Sequence, residues 1–190
     1  MRANSRLQSF ASLLQEWNAS VNCLGRGESA RLWERHILDS AQLLPHIPPG
    51  STVVDVGSGA GLPGFVLAIL DPSLHLVSVE SDGKKAAVQR DIAARLPLDN
   101  ARVIQERIEN LPAIETDIIV SRAVAEVETL LALSSRLISA RTRVLLLKTD
   151  QAREELETAR KSGWQFSVDI FSSPCLAKGL LVALKDIKKE

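Results

Sequence analysis

Four glycines punctuate the most chemically suggestive stretch of the chain, Val53-Val54-Asp55-Val56-Gly57-Ser58-Gly59-Ala60-Gly61-Leu62-Pro63-Gly64. Gly57, Gly59 and Gly61 let the backbone turn tightly and approach a ligand that a Cβ would hold off. Glu80 follows 23 residues after Gly57, the spacing at which a carboxylate accepts hydrogen bonds from ribose hydroxyls. A lone glycine pattern is compatible with a tight turn and no ligand; the paired acid argues for a nucleoside-bearing one. His36, Asp39 and Ser40 contain the letters of a hydrolytic triad, but crowded into one helical turn they read as an in-helix contact. His36 is expected as a buried, hydrogen-bonded packing residue between the N-terminal helices and the central sheet.

These residues need elements to place them. Leu7, Phe10, Leu13, Leu14, Trp17 and Val21 recur at helical spacing behind Ser5, the expected N-cap. A second helix is expected from Glu28 to Leu44, ended by Pro45 and Pro48-Pro49-Gly50. Trp17 and Trp33, at helical spacing among leucines, read as core. Glu28, Arg31, Arg35 and Asp39 read either as a solvated face of mutually pairing charges or as one from which Arg31 and Arg35 reach out to phosphate. The boundary at Gly50 divides an N-terminal helical appendage, residues 1–49, from a main domain, residues 50–190.

Beyond it, strand-like runs at Thr52–Val56, His75–Glu80, Ala101–Gln105, Asp117–Ser121 and Arg143–Lys148 alternate with helix-like stretches at Gly64–Leu70, Lys84–Leu96, Ile108–Leu111 and Glu126–Ile138. The strands are rich in Val, Ile and Leu with little polar alternation, as when helices cover both faces. Such alternation specifies an α/β fold, a Rossmann-like doubly wound, mostly parallel sheet. After a helix at Asp150–Lys161, the runs Trp164–Phe171 and Leu180–Lys185 are joined by a loop and read as an antiparallel C-terminal strand pair.

Composition narrows the class. Lys plus Arg and Asp plus Glu are 23 each, so the formal net charge is zero, which argues against a protein that coats naked nucleic acid by bulk charge. No apolar run suggests a membrane span, and the start MRANSRLQSF lacks a signal-peptide profile. Cys23 and Cys175 form no C-x-x-C pair, so no metal site is expected and a reducing, cytoplasmic setting is.

Two nucleotide chemistries compete for the glycine loop. Gly59-x-Gly61-x-x-Gly64 satisfies the dinucleotide fingerprint and would imply an NAD-type oxidoreductase. Pro63, however, removes a donor where a pyrophosphate wants free N–H groups. Asp55 ahead of the glycines and the acid ending the second strand are instead similar to the pattern of class I S-adenosylmethionine-dependent methyltransferases, whose ligand carries no phosphate.

Asn22-x-Leu24, Glu34-Arg35-His36-Ile37-Leu38-Asp39-Ser40, Asp55 to Gly64 and Ile119-Val120-Ser121-Arg122-Ala123 then occur in order. Together they resemble the bacterial 16S rRNA guanine-N7 methyltransferase family, also called the glucose-inhibited division protein B family. The resemblance runs from about Trp17 to Lys148 and more faintly to Lys185. It implies methyl transfer from S-adenosylmethionine to N7 of a guanine in 16S rRNA of the small ribosomal subunit, in the bacterial cytoplasm; a monomer without metal is expected. It assigns Gly57, Gly59, Leu62 and Glu80 to the cofactor loop and its acid, Ile108 and Glu109 to the segment beside the adenine, and Arg122 to the cofactor and the reacting centre. Lys148 becomes a candidate contact to RNA or to the edge of the cofactor. The chain departs from the family pattern at Cys23, Gly25, Thr149 and Gly179. A ribosome-binding protein that keeps the fold without the activity is the non-enzymatic alternative; the intact glycine loop with Glu80 and Arg122 speaks against it.

Overall fold

The computed structural model describes residues 3–24, 31–122 and 125–190. Gly25, Glu28 and Ala123 lie outside the described residues. Seven strands form one sheet: β1 (Thr52–Val56), β2 (His75–Glu80), β3 (Ala101–Gln105), β4 (Ile118–Arg122), β5 (Arg143–Lys148), β6 (Trp164–Ser172) and β7 (Leu180–Lys189), in the order β3-β2-β1-β4-β5-β7-β6. The first five are mutually parallel, and β7 runs antiparallel to both β5 and β6. This is the Rossmann-like architecture expected from the alternation, with its closing antiparallel pair. The strand order reverses between β1 and β4, so the crevice for ligands opens above the C-terminal ends of these two strands.

Alternate residues of each strand explain why the runs lack polar alternation. Val53, Leu76, Ile118, Val120, Leu145 and Leu147 join one buried cluster, together with α1 (Ala3–Asn18), α3 (Gly64–Leu70) and α4 (Gly83–Arg95). Their neighbours Val54, Val79, Ile119, Val144 and Leu146 join a second cluster, with α5 (Val127–Leu133) and α6 (Ala152–Lys161). Both faces of the sheet are therefore dry. Trp164 is buried in the second cluster with the Lys189 ammonium 4.9 Å from its ring centroid. The α1 helix docks through Phe10, whose ring centroid is 6.0 Å from that of Phe65, and through Trp17, whose Nε1 donates to Asp91 Oδ2 at 2.8 Å.

The N-terminal region differs from expectation in three ways. Ser5 lies inside α1 rather than capping it, and its carbonyl accepts from Ser9 Oγ. The expected continuous second helix is broken up: Trp33–Leu38 is π-helical, α2 (Asp39–Ala41) follows, and Leu44–His46 is a 3₁₀ turn containing Pro45. The π-helix holds more residues per turn than an α-helix, so the 3.6-residue stripe drifts off the core. Ile37 and His36 stay buried while Trp33, expected in the core, is 38% exposed and Leu38 47%. Smaller shifts occur elsewhere: β4 begins at Ile118, one residue late, after Asp117, whose carboxylate accepts from Thr52 N at 2.9 Å.

Candidate active site

The glycine loop leaves β1 with Gly57, Gly59 and Gly61 at φ of 65°, 56° and 83°, left-handed values that L side chains rarely adopt. A Cβ at Gly61 would also press on the Phe65 ring at 2.9 Å, whereas one at Gly59 would meet nothing within 4 Å. Open space therefore borders the loop at Gly59. The loop is held from below by groups on three elements. Glu80, at the end of β2 and 7% exposed, accepts from Gly59 N through Oε2 and from Asp82 N through Oε1, each at 2.8 Å. Each oxygen keeps a second lone pair for a ligand hydroxyl. From α4, the fully buried Gln89 donates to Ser58 Oγ and to the Gly59 carbonyl at 2.8 Å while accepting from Ser78 Oγ at 2.6 Å.

Below the helix start, Asp55 Oδ2 accepts from Gly64 N at 2.8 Å, and a Cβ on Gly64 would stand 2.7 Å from that oxygen. This is why the last glycine of the run is needed. Asp55 Oδ1 is buried without a hydrogen-bond partner among the described residues. Burial pushes the Asp55 carboxyl up to about 7, with the charge of Glu80 adding to the rise and the Gly64 N–H and Arg122 opposing it. Leu62 is buried within the loop. After β3, Glu106 N donates to the Glu80 carbonyl at 3.2 Å, which brings Ile108 and Glu109 alongside the end of β2. Ile108 packs in the cluster containing Val56 and Val79, while Glu109 is exposed and pairs with Arg107 at 3.9 Å.

Removing the Glu80 side chain should therefore weaken S-adenosylhomocysteine binding by about 1.5–3 kcal/mol, the range for hydrogen bonds to a charged group. Calorimetry on folded Glu80→Ala protein measures this, and unchanged affinity would take Glu80 out of the site.

A second half of the crevice lies at the ends of β4 and β5, a pocket of about 600 Å³ whose walls include Arg35, His36, Asp39, Arg122, Lys148 and Thr149. Arg122 Nη1 donates to the Arg35 carbonyl at 3.2 Å and to His36 Nδ1 at 2.5 Å. A guanidinium has only donors, so the Nδ1 lone pair is the one that faces Arg122. His36 is thus buried as expected, but its partner is the β4 arginine. Ser40 Oγ donates to the His36 carbonyl, so the triad letters make no triad. Arg122 reaches the π-helix rather than Glu126 or Glu128, its other candidate partners from the sequence.

Two further expectations change. Lys148 Nζ donates to the Ala125 carbonyl and to Glu155 Oε2, both at 2.6 Å, and the same Glu155 oxygen accepts from Val127 N. Lys148 thereby pins the segment leading into α5 instead of presenting a charge to RNA. Asp39 is buried in the pocket and not on a solvated face, and Arg31 pairs with Glu34 at 3.8 Å. Cys23 and Cys175 are both free thiols, raised in pKa chiefly by burial. A larger cleft, about 800 Å³, separates α1 from α4 and has Arg6, Glu16 and Arg95 in its walls, none of them a residue the sequence marks for chemistry.

Sequence reasoning missed Gln89 and Glu155. Gln89 had a signal: it sits three residues from both Ala86 and Ile92, inside the buried stripe of α4, where a polar residue must have partners.

A seven-stranded sheet of this order, with a glycine loop after β1 and an acid ending β2, defines a Rossmann-like S-adenosylmethionine-dependent methyltransferase. Among solved structures, the S-adenosylmethionine-dependent methyltransferase from Aquifex aeolicus matches with a TM-score of 0.64 at 15% identity, covering 92% of this chain and 97% of that one. Residues 3–179 match the family model described as rRNA small subunit methyltransferase G. The chain is 41% identical over 184 residues to the Ribosomal RNA small subunit methyltransferase G of Rhodospirillum centenum, covering 96% of this chain and 83% of that one. It is 37% identical to the protein of that name from Acidiphilium cryptum, covering 96% and 85%. The chain belongs to the rRNA small subunit methyltransferase G family, and it is an S-adenosylmethionine-dependent rRNA methyltransferase.

Proposed function

We propose that the protein transfers the methyl to N7 of one guanine in 16S rRNA of the small ribosomal subunit, acting in the cytoplasm as a monomer. The observation that carries this reading is the pocket at the ends of β4 and β5, with Arg122 in its wall, on the strand that pairs with β1 ahead of the glycine loop. Gly57, Gly59, Leu62, Glu80, Ile108 and Glu109 would hold the cofactor, and Arg122 would touch both cofactor and target base. The open space at Gly59 and the spare lone pairs of Glu80 suit a nucleoside whose sugar hydroxyls face the acid. Bound S-adenosylmethionine supplies an electrophilic methyl on its sulfonium.

Guanine N7 has an exposed lone pair and no proton, so no side chain has to act as a base. His36 is consistent with that: its Nδ1 lone pair is already engaged by Arg122. The residues of the site then work by position, holding base and donor in line and keeping water out. Arg122 suits the meeting point because its planar fork can satisfy several acceptors at once.

Incubation with tritiated S-adenosylmethionine and undermodified small subunits, with the labelled position mapped on the rRNA, tests the reading; label at N7 of a single guanine is expected. Turnover should require an assembled or partly assembled subunit, because a chain with zero formal net charge gathers few phosphates by charge alone. Equal rates on protein-free 16S rRNA and on subunits would defeat that expectation.

A further inference from the structure

The proposed reaction leaves open how the pocket tells guanine from other bases, and the pocket walls supply an answer that rests on that reading. Guanine carries N7 and O6 on one edge and the donors N1–H and N2–H₂ on the other. The usual arginine grip on guanine is bidentate to O6 and N7, and a donor on N7 would occupy the lone pair that must attack the methyl. Arg122 therefore cannot read the base in that way while transfer proceeds. A contact to O6 alone remains open to it, while the two donors on the opposite edge call for an acceptor.

Three carboxylates border the pocket: Asp39, Glu126 and Glu155. Glu155 Oε2 is committed to Lys148 and Val127 N, and Glu126 is exposed at the rim. Asp39 is 4% exposed and held in one orientation, since Oδ1 accepts from Gln42 Nε2 at 2.5 Å and from Ser173 Oγ at 3.1 Å. Gln42 Nε2 also donates to Ser173 Oγ at 3.2 Å, so the clamp is closed on itself. Asp39 Oδ2 takes no hydrogen bond from the described residues. Burial raises the Asp39 carboxyl above its ordinary value, and Ser173, Arg122, Gln42 and Arg35 oppose that rise.

We propose that Asp39 is the specificity-determining residue of the pocket: its Oδ2, the oxygen left over by Gln42 and Ser173, accepts N1–H and N2–H from the target guanine, leaving N7 turned toward the methyl donor. Adenine would be rejected because it sets a bare N1 acceptor against the carboxylate. Reading an extruded base by its Watson–Crick edge is a general solution for enzymes that modify bases. The clamp by Gln42 and Ser173 serves it by denying the carboxylate any other orientation.

Small subunits reconstituted around 16S rRNA with guanine or inosine at the methylated position provide the test, because inosine lacks only the N2 amine. The wild type should favour guanine over inosine by about 10- to 100-fold in kcat/KM, the worth of one hydrogen bond to a charged group. Asp39→Asn, which keeps the shape but turns an acceptor into an amide, should lower kcat/KM on guanine by about 100-fold. It should also bring the guanine-to-inosine ratio to within about twofold, with S-adenosylhomocysteine affinity within about threefold of wild type. Equal wild-type rates on the two bases would overturn the proposal, as would a variant that keeps the wild-type ratio. So would a folded variant that has lost S-adenosylhomocysteine binding, which would place Asp39 on the cofactor side. Absence of any wild-type methylation of the guanine-bearing subunits is a separate result, and it would bring down the proposed function with the inference.

Discussion

Arg122→Ala should slow methyl transfer by about 30- to 1,000-fold, corresponding to about 2–4 kcal/mol of lost transition-state stabilisation. The side chain leaves the last residue of β4, whose backbone pairs with Leu147 of β5, so its root is fixed by the sheet. Its guanidinium is tied to the π-helix through the Arg35 carbonyl and His36 Nδ1. Removing it costs those contacts as well, roughly 1–3 kcal/mol of stability, or a fall in melting temperature of several degrees for a domain of this size. Single-turnover methylation and thermal unfolding of the same variant separate the two effects. Turnover near wild type, or a rate loss accounted for by a collapsed melting temperature, would show that Arg122 works only as a strut.

The second large effect is on stability against pH and belongs to Asp55. Its folded carboxyl sits at about 7 rather than 3.8, raised first by burial. The folded state therefore binds this proton more tightly than the unfolded chain does. Stability from this group is accordingly greatest at low pH, falls as pH rises from about 4 to about 7, and is level above that. At about 1.4 kcal/mol per pH unit the span is on the order of 4 kcal/mol. Asp55→Asn can still accept from Gly64 N through its amide oxygen and has no proton to lose. Urea unfolding of both proteins between about pH 4.5 and pH 8 should show the wild type losing stability relative to the variant across that interval. Asp82 and Glu106, whose carboxyls are lowered by hydrogen bonds to neighbouring N–H groups, push the other way but equally in both proteins, so the difference isolates Asp55. Parallel curves would mean that Asp55 ionises normally in the folded protein.

The central sheet was legible because its signal is local. Val53-Val54 and Leu145-Leu146 are apolar at successive positions only because each face has its own helical layer. The glycine loop and its acid were legible for a similar reason: glycines forced to positive φ and an acid at a strand end are each visible within a short window. The pocket beside Arg122 was not. His36 and Arg122 meet across 86 positions, and Ser173 reaches Asp39 across 134, so no periodicity contains them. The π-helix made matters worse, since a reading at 3.6 residues per turn assigns Trp33 to the core and Asp39 to solvent, the reverse of what its wider turn does. Lys148 looked available because its counter-charge, Glu155, comes from the following helix, and the charge pattern did not reveal that the two meet.

The position of β7 bears on how the protein is made. It is the latest of the seven strands along the chain, yet it lies between β5 and β6, and β6 reaches the rest of the sheet only through it. A ribosome delivers residues in order, so β1 to β5 can pair while β6 waits with no neighbour of its own. During that interval the apolar edge of β5, Val144 to Leu147, stands open to any extended chain nearby, the condition under which nascent proteins pair wrongly. Residues 180–189 end that interval, sealing β5 and recruiting β6 in one step. Vectorial synthesis thus leaves this sheet incomplete until β7 has emerged, and a helper that shields an open strand edge is most useful to this chain late in its translation.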